Sequence, residues 1–300
     1  MTCGIIDLGS NTIRLSLYDW QDGSYQLLLN KKEMTGLAGY SKGGVLSPEG
    51  IEAAARVLTD YRRLLSNLNI SSFRAFATAS LRNISNTDEA LEAFRDHTGI
   101  EIEVLTGAEE ARLSFLGARS AAAGERGLLA DIGGGSTELV AYEGCAVTCS
   151  HSLPLGSLNL YTGFVSGLFP TRDESRAIRA RVKAALAKMG PAPFQGPYLC
   201  GVGGTIRAAG KLLFPEAGED GSRFTARDLK QLRRDLRKGD KGALDRILRC
   251  VPDRIHTLLP GLLLLDTIVK ICGVETIQVS GRGVREGYLM DRIMTGGSHA

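Results

Sequence analysis

Apolar and polar positions along this chain fall into the same pattern twice. Residues 5–18 read IIDLGSNTIRLSLY and residues 129–142 read LADIGGGSTELVAY. Each is an apolar run, an aspartate, a glycine-rich turn and a second apolar run alternating with period two. Aligned without a gap, Asp7 falls on Asp131, Gly9 on Gly133, Thr12 on Ser136, Leu15 on Leu139 and Tyr18 on Tyr142. The pattern predicts a β-hairpin in each copy, with a turn whose bare backbone can approach a ligand. Around the first copy the spacing predicts strands over 4–19 and 25–31 and a helix over 48–66 with Pro48 near its first turn. A strand at 73–78, a helix at 87–97 stopped by Gly99, a strand at 102–106 and a helix at 108–123 follow. The second half restarts at 127 with strands, then a helix at 171–189 and a strand at 198–202 that runs into a glycine turn and a helix. An amphipathic basic helix at 224–238, a buried apolar helix at 258–269, a strand at 275–280 and a last helix at 284–294 complete it. Strands followed by alternating helices and strands occur in both halves, which predicts α/β layering twice over. The boundary is expected around 120–126, giving domains 1–122 and 123–300, with the last helix free to pack back on the first domain. If the halves face each other, the cleft between them suits phosphate and a metal.

Composition narrows the class. Three hundred residues with 43% hydrophobic content are enough for two ordinary globular cores. A net charge of +3 does not demand nucleic acid, but it allows a locally basic cleft for a polyanion. The N-terminus enters its first strand at once, without the basic, apolar and small-residue regions of a secretory leader. The longest apolar run, 258–269, contains Pro260, Gly261 and Asp266 and is too short to span a membrane. Cysteines 3, 145, 149, 200, 250 and 272 form no CxxC pair and several lie in apolar strands, so reduced thiols in a cytoplasmic protein are expected. Cys145 and Cys149 have the spacing of a metal pair, but no histidine set accompanies them. The tail GGSHA reads as disordered.

The candidate chemistry lies in the loops. In DLGSNT and DIGGGST, glycine lets phosphate oxygens reach backbone N–H groups, and Ser or Thr adds a hydroxyl. Two ordinary glycine hairpins are the bland alternative, weakened by the matched aspartates. Asp131 and Glu138, seven apart across the second turn, can face one ion; the first copy has Arg14 where the second has Glu138. GVGGT at 201–205 is either an anion site at a helix start or a tight strand-to-helix turn. Glu109 and Glu110 open a helix, where they either complement its dipole or supply a catalytic carboxylate. ATASLRN at 77–83 offers Thr78, Ser80 and Arg82 just after a strand, as phosphate donors or as an ordinary loop. SLPLGSLNL at 152–160 and VSGRGVREG at 279–287 are two more glycine-bearing loops; Arg282 and Arg285 in the second are surface charge or anion contacts.

These seven motifs, in this order, closely resemble the exopolyphosphatase / guanosine pentaphosphate phosphohydrolase family, within the superfamily of acetate and sugar kinases, heat-shock chaperones and actin. The resemblance covers residues 4–290 and puts the chain with the short, two-domain members. It implies two ribonuclease-H-like α/β domains facing an interdomain cleft. It implies removal of terminal phosphate from inorganic polyphosphate, or of the 5′ γ-phosphate from guanosine pentaphosphate, with Mg²⁺ or Mn²⁺. Glu110 matches the family's water-activating base, and Asp131 and Glu138 its acidic positions near the divalent ion. Asp7, Ser10, Asn11, Arg14, Ser80, Arg82, Gly133, Gly134, Gly135, Ser136, Gly204 and Thr205 match its phosphate-cradling loops. No DNA or membrane partner is implied, and a homodimer is compatible with it. The chain departs from the family at Asn159 (often Arg), Asn83 (often acidic) and His256 (usually Asp), and Pro260 is expected to interrupt its helix. Two alternatives stand beside this reading. A kinase of the same superfamily would turn over ATP with an acceptor; a nucleotide- or alarmone-binding module would release no phosphate.

Overall fold

The computed structural model describes residues 1–122, 124, 126–216 and 222–294; the GGSHA tail lies outside them. Two compact units divide the chain, Met1–Gly107 with the described residues from Leu289, and Ala108–Tyr288.

In the first unit β1 (Thr2–Leu8), β2 (Ile13–Gln21) and β3 (Ser24–Glu33) form an antiparallel meander. A short ladder of β4 (Ser41–Lys42) and β5 (Val45–Leu46) leads into α1 (Pro48–Asn67), capped by the Ser47 hydroxyl, which accepts from Gly50 N. Then come β6 (Phe73–Ala77), the four-residue α2 (Ala79–Arg82), α3 (Thr87–Thr98), ended by Gly99 at φ 66°, and β7 (Ile102–Val104). The sheet order is β3-β2-β1-β6-β7, with β1, β6 and β7 parallel. Its core is built from Ile6, Leu8 and Leu15 against Leu58 and Tyr61 of α1 and Phe94 of α3. The Tyr61 hydroxyl donates to the Ile13 carbonyl at 3.0 Å, which satisfies its one buried polar group.

The second unit holds nearly all of α4 (Gly107–Ala118), then the meander β8 (Arg126–Ile132), β9 (Thr137–Glu143) and β10 (Ala146–Leu153). Next are α5 (Ser157–Phe164), α6 (Arg172–Met189), β11 (Tyr198–Val202) and α7 (Gly204–Leu213). After them come β12 (Arg223–Thr225), α8 (Ala226–Leu236), α9 (Lys241–Cys250), α10 (Leu258–Ile271), β13 (Thr276–Val279) and α11 (Val284–Tyr288). The order β10-β9-β8-β11-β13 repeats the first sheet strand for strand, with β12 added at its edge. This is the ribonuclease-H-like α/β arrangement, present twice. The repeat reaches individual hydrogen bonds: Gly9 N donates to Thr12 O at 3.0 Å, and Gly133 N donates to Ser136 O at 3.0 Å. Across the two hairpins Asp7 pairs in register with Arg14, and Asp131 with Glu138.

Three elements differ from the sequence reading. The division between units falls at 107/108, earlier than the expected 122/123, because Ala111, Phe115 and Ala118 of α4 pack with Leu129, Val140 and Tyr142 of the second sheet. Pro260 does not break its helix. It sits in the first turn of α10, where its missing N–H has no carbonyl to meet. The basic helix begins only at Ala226, because Arg223–Thr225 pair with β13 and Thr225 and Asp228 close a capping box.

Candidate active site

Parallel strands bring their C-terminal ends to one edge of a sheet. In the second unit Val202 of β11 lies beside Asp131 of β8, so the Gly133–Ser136 and Gly203–Thr205 turns are neighbours. Gly203 holds φ 93°, and a Cβ there would stand 2.4 Å from Ile132 O and 2.9 Å from the Asp131 carboxylate. Only glycine permits that approach.

The Gly133–Ser136 turn is held by its carbonyls. Ser157 N donates to Gly133 O at 2.9 Å, and Leu158 N and Asn159 N donate to Gly134 O at 2.9 and 3.1 Å. Asn159 Nδ2 donates to Gly135 O at 2.8 Å, while its Oδ1 accepts from Gly156 N at 2.8 Å. A trans peptide points its N–H opposite its C=O. With three successive carbonyls drawn to the start of α5, the N–H groups of Gly134, Gly135 and Ser136 face the other way, as an anion-binding nest. Asn159 is thus a clasp in this chain. Asn159→Ala is expected to lose about 1 kcal/mol of stability and to speed amide exchange at 133–136, measured by mass spectrometry. Unchanged exchange there would show that Asn159 does not hold the turn.

Two glycines set α4. A Cβ on Gly117 would meet Gly283 O at 2.0 Å, and one on Gly287 would meet Leu113 O at 1.8 Å, so α4 and the 283–287 segment touch backbone to backbone. That contact delivers Ser114 Oγ to Asp131 Oδ2 at 2.6 Å. Glu110, one turn earlier, shares the Ser114 face of the helix. Gly287→Ala must move α4 off β8. It is expected to destabilise the second unit by about 1–3 kcal/mol and to lower activity, read by thermal melts and turnover. An unaltered melting temperature would refute the contact.

Glu110, Asp131 and Glu138 expose only 7%, 9% and 1% of their surface. Burial, then Glu110 and Asp131, push the Glu138 carboxyl well above its ordinary value, opposed by hydrogen bonds from Ser152 (2.8 Å) and Ser136. Burial also raises Asp131, against the Ser114 hydrogen bond and the charges of Arg207 and Arg285. The three carboxylates therefore form one electrostatic cluster, joined at Asp131 by the buried Glu286 and faced by hydroxyls and two arginines. Thr205 Oγ1, in the first turn of α7, is buried without a hydrogen-bond partner among the described residues, and a Cβ on Gly261 would stand 2.5 Å from it. An orphaned hydroxyl at a ten-residue helix start suits an anionic ligand. Arg254 lies against Gly204, its guanidinium 1.8 Å from where a Cβ would be. His256 stacks edge-on with Tyr161 at 5.2 Å, and burial lowers its pKa.

The first unit gathers its own set at the matching sheet edge. Ser10 O accepts from Ala38 N at 3.0 Å and Asn11 O from Gly36 N at 2.9 Å, so this turn is also held by its carbonyls. Ser80 Oγ donates to Leu8 O. Arg82 Nη1 donates to Leu105 O at 3.0 Å, and Arg14 Nη1 to Asn30 Oδ1 at 3.2 Å. Asp7 stands opposite Arg14.

The motif reading missed Ser114, Ser152, Arg207 and Arg254. Ser114 and Arg207 carry a weak signal, on the first turns beyond Glu110 and Thr205; Arg254 has none, since only folding brings it to Gly204. The cysteines are all unpaired: Cys3, Cys200 and Cys272 are buried, with thiols pushed up to about 11, about 12 and about 11 by burial. Cys145 is exposed and Cys149 half-buried, and no group of three metal-ligating side chains forms among the described residues. No helix among those residues is long and apolar enough to cross a membrane.

Comparison with known proteins bears on the fold and the family. The chain matches the Ppx/GppA phosphatase family over residues 16–295. A solved structure of the Aquifex aeolicus member of that family is 27% identical, with a TM-score of 0.80 over 100% of this chain and 99% of its own. The fold of an exopolyphosphatase from Cytophaga hutchinsonii superimposes with a TM-score of 0.86 at 23% identity, over 99% of this chain and 98% of its own. The chain belongs to the Ppx/GppA phosphatase family.

Proposed function

We propose that the protein is a metal-dependent phosphoanhydride hydrolase that removes terminal phosphate from inorganic polyphosphate or converts guanosine pentaphosphate to the tetraphosphate. The observation that carries this is the buried Glu110–Asp131–Glu138 cluster beside a nest of three N–H groups, in a chain of a phosphatase family.

The residues fit a hard divalent cation. Asp131 and Glu138 are register partners, their oxygens are hard donors, and Glu138 is penalised by neighbouring negative charge. Two carboxylates suffice for Mg²⁺ or Mn²⁺, which fill their remaining positions with water and substrate phosphate. When bound, the ion neutralises charge on the transferring phosphoryl group.

The chain's own residues divide the remaining work. The 134–136 amides and Thr205 hold terminal phosphate oxygens. In the first unit the Ser10–Asn11 turn, Arg14 and Arg82 carry donors suited to phosphate, whereas the Ser80 hydroxyl, expected among them, is spent on the Leu8 carbonyl. A water oxygen bonds to the terminal phosphorus as the bridging P–O bond breaks. Glu110 takes the water's proton, and the leaving phosphate departs with the bond's electron pair. The free thiols support a cytoplasmic setting.

A phosphate-release assay on long-chain polyphosphate and on guanosine pentaphosphate, at matched end concentration with Mg²⁺ and with EDTA, tests this. Release from one or both, lost in EDTA, is expected. No release from either, or undiminished release in EDTA, would overturn it.

A further inference from the structure

Three elements of the second unit close on the Asp131 carboxylate. From α4, Ser114 Oγ donates to Oδ2 at 2.6 Å. From the loop before α11, a Cβ on Gly283 would lie 3.7 Å from both Asp131 Oδ2 and Ser114 Oγ, so this glycine sits beside the hydrogen bond. From the turn after β11, a Cβ on Gly203 would stand 2.9 Å from Oδ1. Ser114 is fully buried and Asp131 nearly so, so bulk water does not compete for the bond.

Ser114 does not use its hydroxyl as a serine inside a helix commonly does. The usual local partner is the carbonyl four residues earlier, here that of Glu110. A hydroxyl has one proton to give, and this one goes across to β8. Packing alone does not call for serine here. Alanine is the better helix former and brings no polar atom that must be satisfied. What the bond opposes is charge. Asp131 and Glu138 are register partners on β8 and β9, and like charges directly opposite each other repel. An aspartate free to turn about its side-chain torsions would relieve that repulsion by swinging its carboxylate away from Glu138. A hydrogen bond from a neutral donor to a carboxylate is of the stronger, charge-assisted kind. It stops the swing and leaves the negative charge in place.

We propose that Ser114 is a positioning residue for the cation site, its hydroxyl holding Asp131 in the orientation that meets the ion together with Glu138. This rests on the metal-dependent reading proposed above. Outer partners of this kind set the direction of a ligating carboxylate before the ion arrives.

The test compares the full-length protein with Ser114→Ala and Ser114→Cys; cysteine nearly keeps the volume but is a weak donor. Mn²⁺ binding without substrate is read from the free-ion signal in electron paramagnetic resonance. Thermal melts in EDTA show which variants are folded, and Ser114→Cys carries the test if Ser114→Ala is not. The variants are expected to bind Mn²⁺ about 10–100-fold more weakly than the wild type. In turnover, the Mg²⁺ concentration for half-maximal rate should rise by a similar factor, with KM for polyphosphate at saturating Mg²⁺ unchanged. A serine that only fills space would move the melting temperature and leave Mn²⁺ affinity alone. Wild-type Mn²⁺ affinity in a folded variant would therefore overturn the assignment and leave the hydrolase reading standing. A rise in KM at saturating Mg²⁺ without weaker Mn²⁺ binding would also overturn it, because Ser114 would then act on the substrate. Wild-type protein that neither binds Mn²⁺ nor releases phosphate would sink the metal-dependent reading and the role of Ser114 together.

Discussion

Glu110→Gln is expected to lower kcat for phosphate release by about 10²–10⁴-fold, the usual cost of removing a general base. Glutamine keeps the shape of the side chain and can still hydrogen-bond a water, but it cannot take a proton. The choice of Glu110 over Glu109 rests on the structure. Glu110 is buried on the face that also carries Ser114, and its charge acts directly on Glu138, whereas Glu109 is only half-buried beside it. Binding of polyphosphate should survive, because the turn amides, Thr205 and the arginines are untouched. Single-turnover rates and equilibrium binding on Glu110→Gln and Glu109→Gln separate the two effects. Near wild-type turnover in Glu110→Gln with a dead Glu109→Gln would mean that the wrong carboxylate has been assigned. Full activity in both would remove the general base from the mechanism.

The duplicated hairpin was legible because its information is local. Period-two alternation, the aspartate and the glycine turn lie within fourteen residues, and both turns close through the same hydrogen bond. The acid trio was named from motifs, but its electrostatics were not readable, since they depend on α4 lying against the second sheet. That placement follows from Gly117 and Gly287, which are far apart in sequence and meet only in the fold. The same holds for Arg254 at Gly204. Asn159 illustrates a different limit. As a departure from the family pattern it pointed to altered substrate contacts; in the structure its side chain is spent on Gly135 and Gly156. Pro260 was read as an interruption because proline inside a helix usually is one. Its position in the first turn already follows from a helix that starts at Leu258, where proline is tolerated.

Glu138→Gln is expected to abolish activity and, in metal-free protein, to raise stability. The sign follows from linkage. Burial and two neighbouring carboxylates raise the folded-state pKa of Glu138 above its ordinary value of 4.5. The folded state therefore keeps this proton to higher pH than the unfolded state does. As pH rises from the unfolded value towards the folded one, the unfolded state releases its proton first, and stability falls through that window. Above it the penalty is fully present. Glutamine never carries the charge and can still accept from Ser152, so the variant escapes the penalty. In EDTA near pH 8 its melting temperature should exceed that of the wild type by several degrees; near pH 4 the two should coincide. Mg²⁺ should stabilise the wild type by mass action and the variant much less, because the variant has lost one of the two carboxylates proposed to hold the ion. A gain in stability joined to a loss of turnover marks a carboxylate held for chemistry against the preference of the fold. If Glu138→Gln melts lower than wild type at pH 8 and pH 4 alike, Glu138 is a structural acid. The cation would then have to be held without it.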